Sequence, residues 1–228
     1  MRINEVFLSI QGEGKLAGVP SAFIRTSGCN LRCHWCDSPT TSWSPEGNDL
    51  TVDDLMKRLS AFATKHVVLT GGEPLLAKGV EELTTRIRKA GYHLTIETAS
   101  TIWREVTCDL ASISPKLANS TPWVRAGGRI AEAHEAIRLN VDVIQRFQRL
   151  GEHQLKFVVS SAEDLGEIDQ LLSQLGDYRP EDVLLMPEGI TSEALSTRGR
   201  WIAELCKKRG FRFCPRLHID LYGHRPGT

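Results

Sequence analysis

The chain has 228 residues, enough for one large α/β domain or two small ones and for a sizeable core. Lys and Arg together number 28, as do Asp and Glu, so no bulk charge attracts nucleic acid or a membrane, and we expect neither as a partner. The first residues are too polar for a signal peptide, and no apolar run approaches membrane-spanning length. We therefore expect a cytoplasmic protein, in which six cysteines indicate metal or redox chemistry rather than a disulfide framework.

Short apolar segments alternate with amphipathic ones along the chain. Residues 6–10 and 21–25 are strand candidates separated by glycines, which predicts a hairpin or neighbouring strands. Further strands are predicted at 66–70, 92–97, 109–113, 154–159, 182–186 and 211–214. Helices are predicted at 51–64, 80–90, 130–150, 162–176 and 192–209, with 117–150 the least regular part of the pattern.

The alternation decides the fold class. About six repeats of strand and helix predict an α/β fold with a parallel sheet and right-handed crossovers. A closed eight-stranded barrel needs about 250 residues, so we expect a partial, open TIM-like barrel of about six parallel strands. We expect one domain, 1–228, made of an N-terminal hairpin (1–27), a cysteine loop (28–45), the partial barrel (46–214) and a C-terminal tail (215–228).

The cysteine loop carries the strongest chemical signal. Cys29, Cys33 and Cys36 stand at C-x3-C-x2-C spacing, with no fourth cysteine nearby. Thiolates are soft ligands, so the spacing indicates an iron–sulfur cluster or zinc. Three cysteines on a [4Fe–4S] cluster leave one iron open, whereas a zinc knuckle would need His34 or a distant cysteine as fourth ligand. The remaining cysteines lie among apolar neighbours and are expected to be buried and inert.

A second motif, Gly71-Gly72-Glu73-Pro74, ends the strand predicted at 66–70. Glycines allow a backbone to approach a ligand closely, and Glu73 and the strand-end carbonyls can accept hydrogen bonds from an ammonium group. Paired with the cysteine loop in an α/β chain, this motif resembles the radical S-adenosylmethionine (SAM) superfamily. That resemblance implies a [4Fe–4S] cluster whose open iron binds SAM, and it argues against zinc because a zinc knuckle has no use for the glycine motif.

Sequence around these motifs resembles the 7-carboxy-7-deazaguanine synthase family over nearly the whole chain. The matching segments include Asn4-Glu5-Val6-Phe7, Ile10-Gln11-Gly12-Glu13-Gly14, Trp35-Cys36-Asp37-Ser38, Glu97-Thr98, Ser114-Pro115-Lys116 and Pro215-Arg216-Leu217-His218. The resemblance implies conversion of 6-carboxy-5,6,7,8-tetrahydropterin to 7-carboxy-7-deazaguanine with loss of ammonia, for queuosine and related 7-deazapurines. It also implies SAM as a recycled cofactor, assistance by Mg²⁺, an electron donor such as flavodoxin or ferredoxin, and a homodimer.

The family's functional residues carry over position by position. Cys29, Cys33 and Cys36 would bind the cluster, and Ser38 would bind Mg²⁺. Substrate contacts fall on Ile10, Gln11, Gly12, Glu13, Arg25, Thr98 and His218. SAM contacts fall on Trp35, Cys36, Asp37, Gly71, Gly72, Glu73, Ser100, Ser114, Pro115 and Lys116, with Ser100 standing where the family often has glycine.

Residue chemistry alone leaves other interpretations open. Ser38 precedes Pro39 and can simply form a turn. Residues 11–13 suit a hairpin turn, Arg25 can face solvent, and Trp35 can pack against the cluster instead of SAM. Surface or core filling is the expected role of His66, His93 and His134.

Two rival functions share some of these features. Another small radical SAM enzyme, such as a glycyl-radical activase, needs the cysteine loop and the glycine motif but not Gln11 to Glu13 or Arg25. A zinc-stabilised binding module needs only the cysteines.

Overall fold

A nine-stranded sheet runs through the chain, which the computed structural model describes from residue 1 to 228. The strands are β1 (Arg2–Ile10), β2 (Pro20–Thr26), β3 (Asn48–Asp49), β4 (His66–Gly71), β5 (His93–Thr98), β6 (Leu110–Ile113), β7 (His153–Val159), β8 (Val183–Pro187) and β9 (Arg212–Phe213). The helices are α1 (Pro39–Ser42), α2 (Val52–Leu59), α3 (Val80–Lys89), α4 (Gly128–Ile137), α5 (Val141–Arg149), α6 (Asp164–Leu175), α7 (Ser192–Arg209) and α8 (Leu217–Tyr222).

The spatial order of the strands is β3-β1-β2-β4-β5-β6-β7-β8-β9. β1 pairs antiparallel with both β2 and β3, and every pair from β2 to β9 is parallel. β3 and β9 form free edges, so the sheet is open. The predicted open α/β sheet of about six parallel strands is confirmed, and the strand predicted at 211–214 is the two-residue β9.

Several predicted boundaries are wrong for identifiable reasons. The predicted helix 130–150 is two helices, α4 and α5, because the Asn140 side chain accepts a hydrogen bond from the Val143 amide (3.2 Å) and caps a new start. β1 begins four residues before the predicted strand because Arg2 and Ile3 pair with the short β3. α2 starts at Val52, where Thr51 Oγ1 caps the helix by accepting from the Asp54 amide at 3.1 Å, and it stops at Leu59, before the predicted end at residue 64.

The core lies between the sheet and the helices that cross it. Leu69, Ile96 and Phe157 of the central strands are fully buried against helix residues such as Ile87 and Phe147. Burying side chains of this size supplies about 1.5–3 kcal/mol each, which holds the sheet as a rigid base. No helix in the chain combines the length and apolar character needed to cross a bilayer.

Parallel pairing also sets the position of the site. Because β2, β4, β5 and β6 run in one direction, the segments that follow them emerge at the same edge of the sheet. The cysteine loop after β2, the glycine motif at the end of β4 and the Thr98 segment at the end of β5 are thereby brought together.

Candidate active site

A cavity of about 590 Å³ opens at the carboxyl edge of the parallel strands. All the residues predicted to bind the cluster, Mg²⁺ and the substrate line it, and so do most of those predicted to bind SAM. The predicted residues in its wall are Ile10, Gln11, Gly12, Glu13, Arg25, Cys29, Cys33, Trp35, Cys36, Asp37, Ser38, Gly71, Gly72, Thr98, Ser114, Lys116 and His218. Glu73, Ser100 and Pro115 do not line the cavity.

The three cysteines of the loop occupy one wall, where Cys33 packs with Leu31 and Ala99 and the other two thiols lie alongside. Burial raises the pKa of Cys33 to about 12 and that of Cys29 to about 11, and it also raises the pKa of Cys36. Thiolate is the ligand form, so these groups need nearby positive charge to ionise. The ammonium of Lys116 lowers all three pKa values, and bound iron would do so far more strongly.

The donor set distinguishes a cluster from a single ion. No other cysteine lines the cavity, and no three His, Cys, Asp or Glu side chains converge closely enough to hold one metal ion. A [4Fe–4S] cluster instead places a separate iron at each thiolate. Three separate thiols, one buried and two half-buried, therefore fit a cluster with one iron left open to a ligand from outside the protein.

Cys33 is held through the peptide groups on either side of it. The Arg32 amide donates to His134 Nδ1 (3.0 Å), the His34 amide donates to the Ser120 carbonyl (2.7 Å), and Trp43 Nε1 donates to the Cys33 carbonyl (3.0 Å). His134 is buried, as expected of a core residue, and it also supports the cysteine loop, which was not predicted. Sequence offered no signal for it, because the contact joins segments 102 residues apart.

Because His134 Nδ1 accepts the Arg32 hydrogen bond, its Nε2 carries the proton and donates to Ser120 Oγ at 2.9 Å. Ser120 Oγ in turn donates to the Leu117 carbonyl at 2.6 Å, so the donor and the acceptor of each hydrogen bond are defined. Burial lowers the pKa of His134 to about 4, which keeps the ring neutral at pH 7. The imidazole thus joins the cysteine loop to the segment before α4 without adding charge.

Gly71 and Gly72 serve a different purpose from the expected approach to a ligand. A Cβ on Gly71 would overlap Thr26, and a Cβ on Gly72 would overlap the Gly28 carbonyl and lie 2.7 Å from the Thr41 carbonyl. The absent side chains allow the glycine motif to pack directly on the ends of the cysteine loop. The Glu73 amide also donates to the Gly28 carbonyl at 2.9 Å. Both glycines still line the cavity, but protein backbone fills the space beside their Cα atoms.

The Glu73 carboxylate points into the protein. It accepts hydrogen bonds from Thr98 Oγ1 (2.8 Å), the Ala99 amide (2.9 Å) and the Leu75 amide (3.2 Å), and it is 1% exposed. Burial raises its pKa, and the hydrogen bonds oppose that shift. The carboxylate thus fixes the end of β5, and the predicted contact of Glu73 with SAM stays a prediction.

Ser100 follows that segment in a strained conformation. Its φ of +56° is the only positive value at a non-glycine residue, so the backbone here favours glycine. Its hydroxyl is buried and has no hydrogen-bond partner, and the residue does not line the cavity. The predicted contact of the Ser100 side chain with SAM stays a prediction.

A charge cluster, which sequence reasoning missed in part, lies in the cavity wall and includes Asp37 of the cysteine loop. Glu13 forms ion pairs with both Lys156 and Arg216, and Arg216 also pairs with Asp37. Burial alone would raise the pKa of Glu13, but Lys156 and then Arg216 hold it well below its usual range. Arg216 likewise keeps the pKa of Asp37 low against the effect of burial. Both carboxylates are therefore ionised, which fixes their roles as hydrogen-bond acceptors.

Gln11 and Glu97 form a second polar pair in the cavity. Gln11 Nε2 donates to Glu97 Oε1 (3.1 Å), and Thr70 Oγ1 donates to Glu97 Oε2 (2.9 Å). Glu97 belongs to a quoted motif but was given no role from the sequence, although its position at the end of β5 was available as a signal. Together these side chains offer amide and carboxylate groups to a heterocycle edge.

The C-terminal tail covers part of the cavity. The Leu217 amide donates to the Gly12 carbonyl (2.9 Å), and the His218 ring lies so close to Gly12 that any Cβ there would overlap it. The Gly227 amide donates to Glu5 Oε2 (3.0 Å), and the last residue, Thr228, also lines the cavity. The tail therefore reaches the site, and it does so partly through the unpredicted helix α8.

Arg25 stands beside Ser38 at the mouth. Its Nε donates to Glu5 Oε1 (2.7 Å) and its Nη1 donates to Ser38 Oγ (3.2 Å), which leaves Nη2 without a protein acceptor. Ser38 Oγ donates in turn to Asp37 Oδ1 (3.2 Å). Serine and carboxylate oxygens are ligands that Mg²⁺ accepts, and the second lone pair of Ser38 Oγ is left free by the hydrogen bond from Arg25.

Comparison with known proteins agrees with this geometry. The profile of the radical SAM superfamily matches residues 23–138. The chain is 47% identical to the 7-carboxy-7-deazaguanine synthase of Rhodopirellula baltica over 227 residues, covering 99% of this chain and 88% of that protein. The Halobacterium salinarum enzyme of the same name is also 47% identical, over 236 residues, with coverage of 99% and 92%.

Among solved structures, the crystal structure of QueE from Escherichia coli aligns with a TM-score of 0.70 and 29% identity, covering 95% of this chain and 94% of that one. The shared fold, the three-cysteine cavity and relatives matched over almost their full length lead to one conclusion. The chain belongs to the 7-carboxy-7-deazaguanine synthase family of the radical SAM superfamily.

Proposed function

We propose that this chain converts 6-carboxy-5,6,7,8-tetrahydropterin to 7-carboxy-7-deazaguanine with loss of ammonia, in the biosynthesis of queuosine or a related 7-deazapurine. The observation that carries the proposal is the single cavity in which three cluster-binding thiols face Gln11, Glu13 and Arg25. As a radical SAM enzyme, the chain uses a [4Fe–4S] cluster and SAM, acts on a small molecule and takes electrons from a reductant. When bound, these cofactors supply the radical that removes a hydrogen from the substrate.

The protein contributes binding and orientation. Gln11 and Glu97 offer donors and acceptors to the pterin edge, and the ionised Glu13 accepts hydrogen bonds from its N–H groups. The free Nη2 of Arg25 suits the substrate carboxylate, which a guanidinium binds through its planar fork. Holding the substrate C–H bond close to the radical lowers the entropic barrier to hydrogen transfer. His218 and the tail exclude water from this part of the cavity.

We propose that the cofactors bind at the part of the cavity wall formed by the cysteine loop. Cys29, Cys33 and Cys36 hold the cluster. Lys116 lies 5.9 Å from the Trp35 ring and donates from Nζ to both oxygens of Ser114 (2.8 Å each). That hydrogen bonding presents the Ser114 segment and Trp35 as one surface for SAM. Gly71 and Gly72 contribute their backbone to this surface, and Glu73 and Ser100 support it from behind.

Product analysis after anaerobic reconstitution tests the function. The reconstituted protein with SAM, Mg²⁺ and the carboxylated pterin should release 7-carboxy-7-deazaguanine and ammonia. Cys33→Ala should abolish SAM cleavage, because the cluster loses a ligand. A brown, air-sensitive protein that cleaves SAM but leaves the pterin intact would refute the substrate and favour another radical SAM reaction.

Two variants separate the proposed contacts. Arg25→Ala should retain uncoupled SAM cleavage and raise the substrate KM by about 10-fold or more, since an Arg–carboxylate pair contributes roughly 1.5–3 kcal/mol. An unchanged KM would refute the clamp. Ser38→Ala should alter the dependence of turnover on Mg²⁺ concentration, and an unaltered dependence would remove Ser38 as a ligand.

The family resemblance also supports three broader proposals. The chain works in the cytoplasm as a single catalytic domain, forms a homodimer, and receives electrons from flavodoxin or ferredoxin. Sedimentation of the reconstituted protein at several concentrations tests the dimer, and a monomer at all concentrations would refute it.

A further inference from the structure

An exposed surface lies against the outer side of the cysteine loop, away from the substrate residues. It consists of Trp123, Val124 and Arg125 before α4 and Arg129 in its first turn, and we call it the arginine patch. Trp123 is 54% exposed and Val124 is 93% exposed, although apolar side chains of this size usually find cover. Two large apolar side chains next to each other at the surface are a feature of binding sites.

Contacts tie the arginine patch directly to the loop that holds the cluster. Arg125 Nη1 donates to the His34 carbonyl (3.1 Å), and its guanidinium stacks 4.0 Å from the centre of the Trp43 ring. Trp43 in turn donates from Nε1 to the Cys33 carbonyl (3.0 Å). His34, the residue after Cys33, is itself exposed. A partner seated on the patch would therefore lie one residue from a cluster ligand.

The charge of the patch is local and unpaired. Neither Arg125 nor Arg129 takes part in any ion pair of the structure. The whole chain has a formal net charge of zero, so two arginines four residues apart in sequence that form no ion pair give this segment a local positive charge. Arg129 also lies in the first turn of α4, where positive charge destabilises a helix. The position of Arg129 is therefore not explained by the stability of α4.

We propose that the arginine patch docks an acidic one-electron carrier protein, which reduces the cluster through the cysteine loop. The inference rests on the proposed function, since it presumes a cluster on Cys29, Cys33 and Cys36. In the step itself, the reduced carrier loses one electron and the oxidised cluster gains it, with no bond formed or broken. The cavity side is less suitable for docking, because the tail and the substrate occupy it.

Charge complementarity favours an acidic carrier protein as the partner that binds the arginine patch. A negatively charged carrier is attracted by unpaired arginines, which raises the association rate, and the apolar Trp123 and Val124 give the short-lived complex its desolvated centre. A second copy of this neutral chain offers no comparable attraction. Dimerisation through the patch is accordingly a competing outcome of the test.

The test compares two reductants on the reconstituted holoenzyme. Stopped-flow absorbance follows cluster reduction by flavodoxin hydroquinone, an acidic protein donor, and in parallel by dithionite, a small donor that needs no docking. The variants are Arg129→Glu and Trp123→Ala, neither of which touches the cysteine loop by a hydrogen bond. Arg200→Glu is the matched control, an exposed and unpaired arginine on α7 at the far edge of the sheet. Flavodoxin affinity is measured separately with the oxidised carrier.

We expect both patch variants to slow reduction by flavodoxin at least about 10-fold at low salt and to weaken its binding, while dithionite reduction and the control stay at the wild-type rate. Unchanged flavodoxin rates would overturn the proposal, as would equal slowing with dithionite or an equal effect of Arg200→Glu. A change in sedimentation with unchanged flavodoxin binding would assign the patch to a second copy and also overturn it. Wild-type protein that binds no cluster would refute the proposed function instead, independently of the patch.

Discussion

Arg216 Nε donates a hydrogen bond of 2.9 Å to Glu13 Oε1, a carboxylate 203 residues earlier in the chain. The same guanidinium pairs with Asp37 of the cysteine loop and donates from Nη1 to the Gly189 carbonyl at 2.6 Å. One side chain from the tail therefore joins the substrate-facing turn after β1, the cysteine loop and the end of β8. The relative position of the two halves of the cavity depends on this residue.

Replacing Arg216 by Met should destabilise the protein and impair substrate binding together. Glu13 and Asp37 would lose a buried positive partner, and breaking such a pair costs about 3–5 kcal/mol. Thermal unfolding should show a clearly lower Tm, and the substrate KM should rise. Arg216→Lys should recover part of the stability, because it keeps the charge but cannot reach three acceptors at once.

Lys207→Met serves as the control for Arg216, since its partner Glu204 is an exposed neighbour on the same helix. Pairs of that kind contribute little, so Tm should stay at the wild-type value. If Arg216→Met unfolds at the same temperature as this control, the charge cluster does not hold the cavity together.

Gly12→Ala should displace the tail. The added methyl group would overlap the His218 ring and lie 2.9 Å from the His218 amide nitrogen, so α8 must move away from the turn after β1. Overpacking of this kind costs about 1–3 kcal/mol. We expect a higher substrate KM and faster proteolytic cleavage within residues 215–228, with the sheet intact by circular dichroism.

Gly166→Ala is the matched control for that substitution. Gly166 lies in α6 with open space around its Cβ position, so alanine should raise stability by about 0.5–1 kcal/mol without affecting the substrate KM. Tail protection and KM at wild-type values in Gly12→Ala would show that the close contact with His218 is dispensable.

Ser100→Gly should stabilise the protein. Glycine adopts the φ of +56° without strain, and the change removes a buried hydroxyl that has no partner. Each effect contributes about 1 kcal/mol or more, so denaturant unfolding should shift to higher concentration. The affinity for SAM, measured by calorimetry, decides the predicted role of the side chain. An unchanged affinity removes the Ser100 hydroxyl from the SAM contacts, and a loss of affinity restores it.

Local signals explain why much of the site was predictable. The cysteine spacing lies within eight residues, and the glycine motif and Thr98 each follow a strand, so parallel pairing alone brings them together. Fold class followed from the same alternation of strands and helices, because chain periodicity records which side chains face the core.

The remaining features depend on contacts that no local pattern records. Lys156 reaches Glu13 across 143 residues, and nothing around Lys156 in β7 distinguishes it from a solvent-facing lysine. The packing of Gly71 and Gly72 against the backbone of Thr26 and Gly28 was not predicted, because a glycine's neighbour in space can be a ligand or another backbone, and the sequence does not tell which. The end of α4 and the new start of α5 at Asn140 were not predicted, because the apolar periodicity continues across this position.

His134 offers a test of how the cysteine loop is held. Asn at this position can accept the Arg32 hydrogen bond with its Oδ1, whereas Leu cannot. His134→Leu would leave the buried Arg32 amide without an acceptor, at a cost of about 1–3 kcal/mol. After reconstitution, we expect less iron per chain and an altered reduction potential in His134→Leu, with both values recovered in His134→Asn. A purely space-filling histidine would give the opposite order, because Leu fills the apolar volume better than Asn.

The same residue predicts a pH dependence of folding. The pKa of His134 is about 4 in the folded chain, because burial lowers it from the ordinary value of 6.5. Between these values the unfolded chain binds a proton that the folded chain does not, so stability falls as the pH drops from 6.5 towards 4. Denaturant unfolding of the cluster-free protein should therefore lose stability more steeply over that range in wild type than in His134→Asn, which has no titrating ring. Parallel curves for the two proteins would show that His134 takes up its proton in the folded state as readily as in the unfolded one.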